Sequence, residues 1–415
     1  MTIGAESAEG DTERPGGRPL EGVRVLDLTT FLSGPFATQI LADLGADVVK
    51  LEPLEGDSSR SIPPHFVEDD SAYFLATNRG KRSVAVNLKT PEGLDVALRL
   101  IARCDVVIEN FRPGVCKRLG LDVDRIRAEH PHLVWAAISG FGQSGPMRNK
   151  PAYDMVVQAL AGVMSLTGEV GRPAVRLGIP AGDLVAGMYA TIGILSALLD
   201  QRRTGVGRVI DVSMLDSQLT MLSYQGVYSL VAGVTPGPQG RAHDSIPTYR
   251  SFQGADGREF VVTANTERMW RDLCKVIGRP DLVDDERFAD AGLRLANRSA
   301  LSAVLEAEFG RLPAETWVAE LSDQAVPAAV IKSVPEALAD AEQSGRGMVV
   351  ELNRRDRRSI RVLGNPIKFG DDTTGVAGYP PALGEHTGSV LTDDLGMSRA
   401  DVDELVAKGA VRLSR

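Results

Sequence analysis

The sequence predicts an α/β fold, with a Rossmann-like large domain built on a parallel sheet and a smaller α+β domain. From residue 23 to about 200, apolar strand-like runs alternate with helical stretches, which is the pattern of parallel strands joined by helical crossovers. Past residue 200 the pattern changes to grouped short strands and helices. The length of 415 residues also favours two domains over a single core.

The first elements form a βαβ unit. Val23–Leu28 is an apolar run typical of a buried strand, and a Ser-Gly-Pro turn at 33–35 introduces a helix over 36–44. Asp47–Glu52 then predicts the next strand. Further strands are expected at 83–88, 106–109 and 134–139, with helices over 91–103 and 122–129 between them.

The second half predicts a hairpin followed by helices. Strands are expected at 248–252 and 259–264, helices near 267–277, 293–308 and 313–323, and a final helix at 398–407. The predicted organisation is a disordered leader over 1–18, a large domain over 19–215, a linker helix over 216–232, a small domain over 233–335 and a C-terminal segment over 336–415 that returns to the large domain.

Composition excludes several classes of function. A net charge of −9 argues against nucleic acid as the main partner. No signal peptide is evident, and the apolar run 188–199 is too short to span a bilayer, so we expect a cytoplasmic protein without a membrane partner. Three widely spaced cysteines and five histidines without an HxxxH or HExxH pair give no disulfide framework and no metal site.

Asp183 is the most informative residue of the chain. A Pro/Gly-rich turn over 178–187 leads into the apolar run 188–199, which predicts the start of a buried helix. This places one carboxylate among small residues at the start of that helix. Capping of the helix is one interpretation, because Asp accepts hydrogen bonds from first-turn amides. Chemistry at a ligand is the other.

Further candidate residues follow the predicted strands. Asn110 and Phe111 come directly after the buried strand 106–109, and ligands of open α/β sheets bind at the carboxyl ends of strands. The first turn, 29–35, lacks the GxGxxG pattern, so NAD is not favoured, although amides at a helix start can bind phosphate. The basic stretch 78–83 is either a solvated loop or part of an anion site.

Taken together, the motifs resemble class III (family III) CoA-transferases, the group that includes formyl-CoA transferase, carnitine CoA-transferase and α-methylacyl-CoA racemase. The resemblance runs from about Leu20 to about Val411. The segments that carry it, in order, are 20–27, 34–39, 44–52, 78–83, 109–114, 139–142, 205–214 and 383–387.

The resemblance implies that Asp183 is the catalytic nucleophile of a CoA-transferase. The aspartate would attack an acyl-CoA thioester, become an aspartyl-CoA thioester through a mixed anhydride, and pass CoA to a free carboxylic acid. It also implies CoA thioesters as substrates, no permanently bound cofactor, and an interlocked homodimer. The breadth of the family suggests succinyl-CoA and a small dicarboxylic acid.

One substitution separates branches of the family. The racemase branch has a histidine where this chain has Tyr153, directly before Asp154, and tyrosine is a poor acid/base partner near neutral pH. A transferase is therefore favoured, with Tyr153 and Asp154 positioning the substrate. The alternatives are an acyl-CoA racemase or epimerase using another base, such as His243 or Glu169, and a CoA-binding protein without catalysis.

The matching positions also predict CoA contacts. Pro53 stands where formyl-CoA transferase has an arginine that meets a CoA phosphate, so Arg60 or Arg82 is hypothesised to supply the missing charge. The loop 233–240 lies roughly where that enzyme has a glycine lid, but Pro236 and Pro238 interrupt it. The predicted CoA-binding residues are Thr30, Phe31, Leu32, Ser33, Arg60, Arg82, Asn110, Phe111 and Arg118.

Overall fold

The computed structural model describes residues 17–370 and 376–414. The leader predicted over 1–18 therefore lies, apart from its last two residues, outside the described residues. The described chain forms two compact units. The first comprises the described parts of Met1–Val157, Ile179–Met221 and Arg346–Arg415, and the second comprises Gln158–Gly178 and Leu222–Gly345.

The strands, in chain order, are β1 (Arg24–Asp27), β2 (Asp47–Glu52), β3 (Phe66–Val67), β4 (Asp70–Ser71), β5 (Lys81–Val86), β6 (Val106–Glu109), β7 (Val134–Ser139), β8 (Val209–Ser213), β9 (Tyr249–Gln253), β10 (Glu259–Thr263), β11 (Ala328–Val330), β12 (Val349–Arg354), β13 (Arg357–Leu363) and β14 (Val411–Arg412).

The α-helices are α1 (Ser33–Asp43), α2 (Ala72–Leu75), α3 (Pro91–Ile101), α4 (Val115–Arg118), α5 (Val123–Glu129), α6 (Asp154–Leu160), α7 (Val163–Leu166), α8 (Ala181–Thr204), α9 (Met214–Met221), α10 (Ser223–Ala232), α11 (Glu267–Val276), α12 (Ala291–Ala296), α13 (Arg298–Phe309), α14 (Ala314–Asp323), α15 (Val334–Gln343), α16 (Thr387–Ser389) and α17 (Arg399–Ala407). Single 3₁₀ turns lie at Ser58–Ser61 and Pro280–Val283, and a π-helical turn lies at Val390–Asp394.

The first unit is built on a seven-stranded sheet in the order β14-β5-β2-β1-β6-β7-β8. All neighbouring pairs are parallel except the edge pair β14 and β5. Side chains of β1 alternate between two hydrophobic clusters, since Val25 packs in one and Leu26 in the other. Both faces are therefore covered, as expected of a parallel sheet. The mixed α/β fold with a mostly parallel sheet agrees with the sequence-based prediction.

Helix α8 is held tightly against α1. A Cβ atom placed at Gly187 would lie 2.6 Å from the carbonyl oxygen of Ser33, so only glycine permits this approach. The same helix packs against β7, β8 and α9. Because Gly187 is one turn after Asp183, the contact with Ser33 also fixes where the start of α8 lies relative to the first turn of the sheet.

Helix α8 is longer than the apolar run that the sequence analysis considered. Among the described residues, α8 is the one helix that is long and apolar enough to cross a membrane. The sequence analysis took the apolar segment to be too short to span a bilayer, and this is corrected, because the helix runs over Ala181–Thr204. A single such helix is weak evidence for a membrane span, because core helices of soluble proteins have the same properties.

The second unit has its own core beneath the antiparallel sheet β11-β10-β9. Four aromatic side chains, Phe252, Phe260, Phe309 and Trp317, pack together there. Residues 158–178, which the sequence analysis placed in the large domain, belong to this unit. They are tied to the loop 233–240 by backbone hydrogen bonds from Gln239 to Leu166 and from Gly240 to Gly168.

The region predicted as one linker helix over 216–232 contains two helices. Helix α9 ends at Met221 and α10 begins at Ser223, whose φ of 47° lies in the left-handed region. A non-glycine residue in that conformation interrupts the helical ladder. Apolar periodicity alone does not register such a break.

Candidate functional site

The turn between β1 and α1 is clamped by Asn110. Its Oδ1 atom accepts the N–H of Thr30 at 2.9 Å, and its Nδ2 atom donates to the carbonyl oxygen of Thr30 at 2.8 Å and to Oγ of Ser33 at 3.4 Å. Phe31 has a φ of 64°, an uncommon conformation for a bulky residue. Because Asn110 follows β6, the neighbour of β1, the clamp lies where the strand order reverses.

A buried charge network supports the same turn. Asp27 accepts from the backbone N–H and the hydroxyl of Thr29, and its carboxylate lies 3.0 Å from Lys81. Lys50 donates to the carbonyl oxygen of Thr29 at 2.7 Å and pairs with Asp57 at 2.9 Å. Burial opposes ionisation of Asp27, but the charges of Lys81 and Lys50 hold its pKa well below its ordinary value. Burial lowers the pKa of Lys81 to about 8.

Asp183 is the third residue of α8, inside the first turn of the helix. Its side chain is partly buried. Burial, followed by the charge of Asp154, raises the pKa of Asp183 to about 7, against a hydrogen bond from the Ser33 side chain that lowers it. Asp183 is therefore a carboxylate that ionises near neutral pH beside the first turn of the sheet.

Asp183 does not itself cap α8. The residue before the helix is Pro180, which offers no capping side chain. Oδ1 of Asp154 accepts instead, from the N–H of Gly182 at 2.7 Å and from the N–H of Asp183 at 3.4 Å. The capping interpretation considered for Asp183 thus applies to Asp154, and the carboxylate of Asp183 is released from that role.

Two tyrosines lie close to these carboxylates. The ring of Tyr153, which is 68% exposed, contacts the edge of Phe31 with ring centres 6.2 Å apart. Burial and the charges of Asp183, Asp154 and Asp57 raise the pKa of the Tyr73 hydroxyl, which keeps it a neutral hydrogen-bond donor. The sequence analysis missed Tyr73, because a tyrosine in the short helix α2 carries no motif.

A cavity of about 310 Å³ opens at the carboxyl ends of β1, β2, β5 and β6. Thr30 and Phe111, both predicted ligand contacts, line it. The sequence analysis named no other residue of this wall as a contact, because their side chains are mostly ordinary apolar ones. The further lining residues are Leu28, Leu51, Pro53, Leu54, Glu55, Val86, Asn87, Leu88, Lys89 and Leu119.

Phe111 is oriented by a buried acid. The N–H of Phe111 donates to Oε2 of Glu109 at 2.6 Å. Burial raises the pKa of Glu109 to about 8, so this carboxyl is largely protonated at neutral pH. The wall of the cavity is therefore close to uncharged at this point.

Basic residues adjoin the wall of the cavity. Lys89 lines the cavity, and Arg118 directly precedes its lining residue Leu119. Arg112 follows Phe111. Across residues 17–370 and 376–414, no ion pair is formed by any of the three. Each can pair with an anionic ligand, and the sequence analysis named only Arg118 among them.

The two arginines hypothesised to replace the charge missing at Pro53 are already engaged. Arg60 pairs with Glu52 and Asp70 and lies 3.6 Å above the ring of Phe74. Arg82 pairs with Asp47 at the amino end of β2, the opposite end of the strands from the cavity. Both arrangements weigh against contacts with a CoA phosphate, and the physical reason is that each guanidinium has carboxylate partners elsewhere.

The remaining candidates are Leu32, His243 and Glu169. Leu32 is buried directly before α1. His243 and Glu169, considered as bases for a racemase, belong to the second unit, where His243 contacts the hydroxyl of Tyr224. Among the described residues, no three His, Cys, Asp or Glu side chains are placed to hold a metal ion.

Comparison with known proteins identifies the family. The sequence model of CoA-transferase family III matches residues 20–387. The chain belongs to CoA-transferase family III. It is 36% identical over 395 residues to the succinyl-CoA:glutarate CoA-transferase of Mus musculus, covering 95% of this chain and 90% of that protein. It is 38% identical to the acetyl-CoA:oxalate CoA-transferase of Acetobacter aceti, covering 85% and 89% of the two chains.

Solved structures support the same assignment. A CAIB/BAIF family protein from Brucella suis superimposes with a TM-score of 0.82 at 36% identity, covering 91% of this chain and 99% of that one. The protein is therefore a CoA-transferase that moves CoA between an acyl-CoA and a carboxylic acid, as the sequence predicted.

Proposed function

We propose that this family III CoA-transferase works through an aspartyl-CoA thioester formed on Asp183. The observation that carries the proposal is the state of this carboxylate. It is partly buried, ionises near pH 7, contacts the Ser33 side chain and is not used to cap its own helix. A nucleophile needs an ionisable group held in a fixed place, and Asp183 meets both conditions.

The proposed reaction proceeds by acyl exchange. A carboxylate oxygen of Asp183 attacks the thioester carbonyl, the carbon–sulfur bond breaks, and a mixed anhydride forms with release of CoA thiolate. The thiolate attacks the aspartyl carbonyl, so that the donor acid leaves and Asp183 carries CoA. The acceptor carboxylate then reverses both steps and leaves as the new acyl-CoA. No oxidant, reductant or net proton is required.

The surrounding groups favour these steps by their positions. The positive end of α8 stabilises negative charge that develops on oxygen close to its first turn. The hydroxyl of Ser33 donates to Asp183, and Tyr73 is a neutral donor nearby. Tyr153, exposed beside Phe31, is placed to contact the acyl group or the pantetheine arm.

We place the nucleotide part of CoA in the cavity at the strand ends. Its apolar wall, with the ring of Phe111, suits a purine, and Lys89 and Arg118 supply positive charge for phosphates. Thr30 lines the cavity and Ser33 meets Asp183, so the turn between them marks the path of the pantetheine arm. Leu32 and Phe31 lie along that path.

The acceptor in this proposal is a small dicarboxylic acid and the donor is succinyl-CoA. Support comes from relatives named for succinyl-CoA with glutarate and succinyl-CoA with mesaconate. We also propose an interlocked homodimer, because Met188, Ile192 and Leu199 leave apolar surface exposed along α8. A cytoplasmic location suits the three buried, unpaired cysteines.

The test is chemical trapping of the intermediate. The enzyme is incubated with succinyl-CoA and then with hydroxylamine, and the peptide containing residues 181–202 is analysed by mass spectrometry. We expect a hydroxamate on Asp183 that requires acyl-CoA. Asp183→Asn should give no adduct and no turnover, whereas Asp216→Asn, an exposed first-turn acid in α9, should behave as wild type. An enzyme that turns over without any trapped adduct contradicts the covalent route.

A further inference from the structure

The cap of α8 comes from a different helix. Asp154 is the first residue of α6, yet its Oδ1 atom accepts from the amides of Gly182 and Asp183, the second and third residues of α8. Those amides are the ones that a local capping side chain normally satisfies. Here the position before the helix is Pro180, so the acceptor is supplied from the segment that precedes α8 by more than twenty residues.

Gly182 makes this long-range cap possible. A Cβ atom at position 182 would lie 2.9 Å from Oδ1 of Asp154 and 3.3 Å from Nε2 of Gln218. Glycine within a first turn otherwise lowers helix stability relative to alanine. The space left by the missing side chain is therefore occupied by the Asp154 carboxylate, directly beside the nucleophile.

Asp154 also acts on Asp183 through its charge. After burial, the charge of Asp154 is the larger of the remaining influences on Asp183 and raises its pKa. The other groups that face Asp183 are the Ser33 hydroxyl from α1 and the Tyr73 hydroxyl from α2, both uncharged at neutral pH. Gln218 of α9 approaches Gly182 and is likewise neutral. The charge that raises the pKa of Asp183 is therefore that of Asp154.

We propose that Asp154 is a positioning residue that acts on Asp183 in two ways, by fixing its orientation through the cap on α8 and by favouring its conversion to the uncharged aspartyl-CoA form. This inference rests on the proposed covalent role of Asp183. When the Asp183 carboxylate becomes a thioester, its negative charge leaves with the donor acid. The repulsion from Asp154 then disappears, so Asp154 shifts the equilibrium towards the covalent intermediate.

Two substitutions at Asp154 separate the two effects. Asp154→Asn keeps an oxygen that can cap α8 but removes the charge. Asp183 should then ionise at lower pH, so the ratio of kcat/KM at pH 6 to that at pH 8 should rise roughly threefold or more. The fraction of enzyme trapped as aspartyl-CoA at a fixed succinyl-CoA concentration should fall. Asp154→Ala removes the cap as well and should lower kcat about 100-fold.

A third substitution displaces the cap without changing charge. Gly182→Ala introduces a Cβ atom against Oδ1 of Asp154 and should lower kcat about tenfold or more, although alanine is the better helix former. Asp124→Asn, which changes an exposed acid in the first turn of α5, is the matched control and should leave both the pH profile and the trapped fraction unchanged.

The outcomes distinguish this inference from the proposed function. If wild-type enzyme gives no trapped adduct, the covalent role of Asp183 fails first. If wild-type enzyme is trapped but Asp154→Asn has the same pH profile and the same trapped fraction, only the role of Asp154 is overturned. Thermal unfolding of each variant shows that the comparison is made on folded protein. The inference is supported if the pH profile of Asp154→Asn moves to lower pH while its kcat stays above that of Asp154→Ala.

Discussion

Two groups of acids adjoin the turn between β1 and α1, and they are built in opposite ways. Asp27 and Asp57 are buried with Lys81 and Lys50 beside them, and the pKa of each acid is held below its ordinary value. Asp183 lies beside another acid instead, and its pKa is raised to about 7. The residue type is the same, but the neighbouring charges are of opposite sign.

This difference separates a structural role from a chemical one. A buried carboxylate paired with a lysine stays ionised and is held by its hydrogen bonds, which suits it to fix Thr29 in place. A partly buried carboxylate beside another acid is higher in free energy when ionised and gains by becoming neutral. Forming a covalent acyl derivative is one way to become neutral. Perturbed pKa values of this kind are a known mark of functional sites.

The largest expected effect comes from removing the cation that pairs with the buried Asp27. Lys81→Met leaves Asp27 fully buried without its nearest cation and should lower the free energy of unfolding by about 3–5 kcal/mol. The double variant Asp27→Asn with Lys81→Met should recover most of this loss, because no buried charge then lacks a partner. Urea unfolding measures both. Equal stability of Lys81→Met and wild type contradicts the described pairing.

A smaller effect is expected when Asp183, which lies beside another acid, is replaced by a neutral residue. The pKa of Asp183 is raised from 3.8 to about 7, so the folded state binds its proton more tightly than the unfolded state. This tighter proton binding stabilises the folded state fully below about pH 4, and the stabilisation is lost as the pH rises towards 7. Asp183→Asn should therefore be more stable than wild type at pH 8, by on the order of 2 kcal/mol, and less so at pH 5.

Melting temperatures at the two pH values provide the measurement. Asp124→Asn serves as the control, since that acid is exposed. A difference between Asp183→Asn and wild type that is identical at pH 5 and pH 8 contradicts the raised pKa. The expected combination, a more stable but inactive enzyme, is the usual relation between a strained catalytic group and folding stability.

The smallest effect is expected from loosening the turn that lies between the two groups. Asn110→Ala removes the hydrogen bonds to both backbone atoms of Thr30 and to Ser33. We expect KM for the acyl-CoA to rise about tenfold, with a smaller change in kcat, because each lost hydrogen bond is worth about 1 kcal/mol. Asn353→Ala, at an exposed position of β12, is the control. An unchanged KM argues that the turn does not contact CoA.

Much of the fold was predictable because its signals are local. The apolar runs of β1, β2, β6 and β7 are strands at or within one or two residues of the predicted positions. The break between α9 and α10 was not predicted, since it depends on the backbone conformation of Ser223. The association of residues 158–178 with the second unit also depends on long-range hydrogen bonds that leave no local pattern.

The candidate site was predictable in part for the same reason. Asp183, Thr30, Asn110 and Phe111 stand at the ends of recognisable elements or within motifs. Lys89 and Tyr73 do not, and the engagement of Arg60 with Glu52 and Asp70 could not be foreseen from a count of basic residues. Whether a charged side chain is available to a ligand depends on its spatial partners rather than on its neighbours in sequence.

The sequence by itself determined the parallel α/β organisation, the family and the position of Asp183 at the start of a long apolar helix. The organisation and the position of Asp183 follow from hydrophobic periodicity and turn residues, and the family follows from the resemblance of the motifs. All of these signals lie in short stretches of chain. Only the tertiary structure decided that Asp154 caps α8 while Asp183 is left uncapped. That division of roles arises because folding brings the start of α6 against Gly182, and electrostatic interactions depend on distance in space.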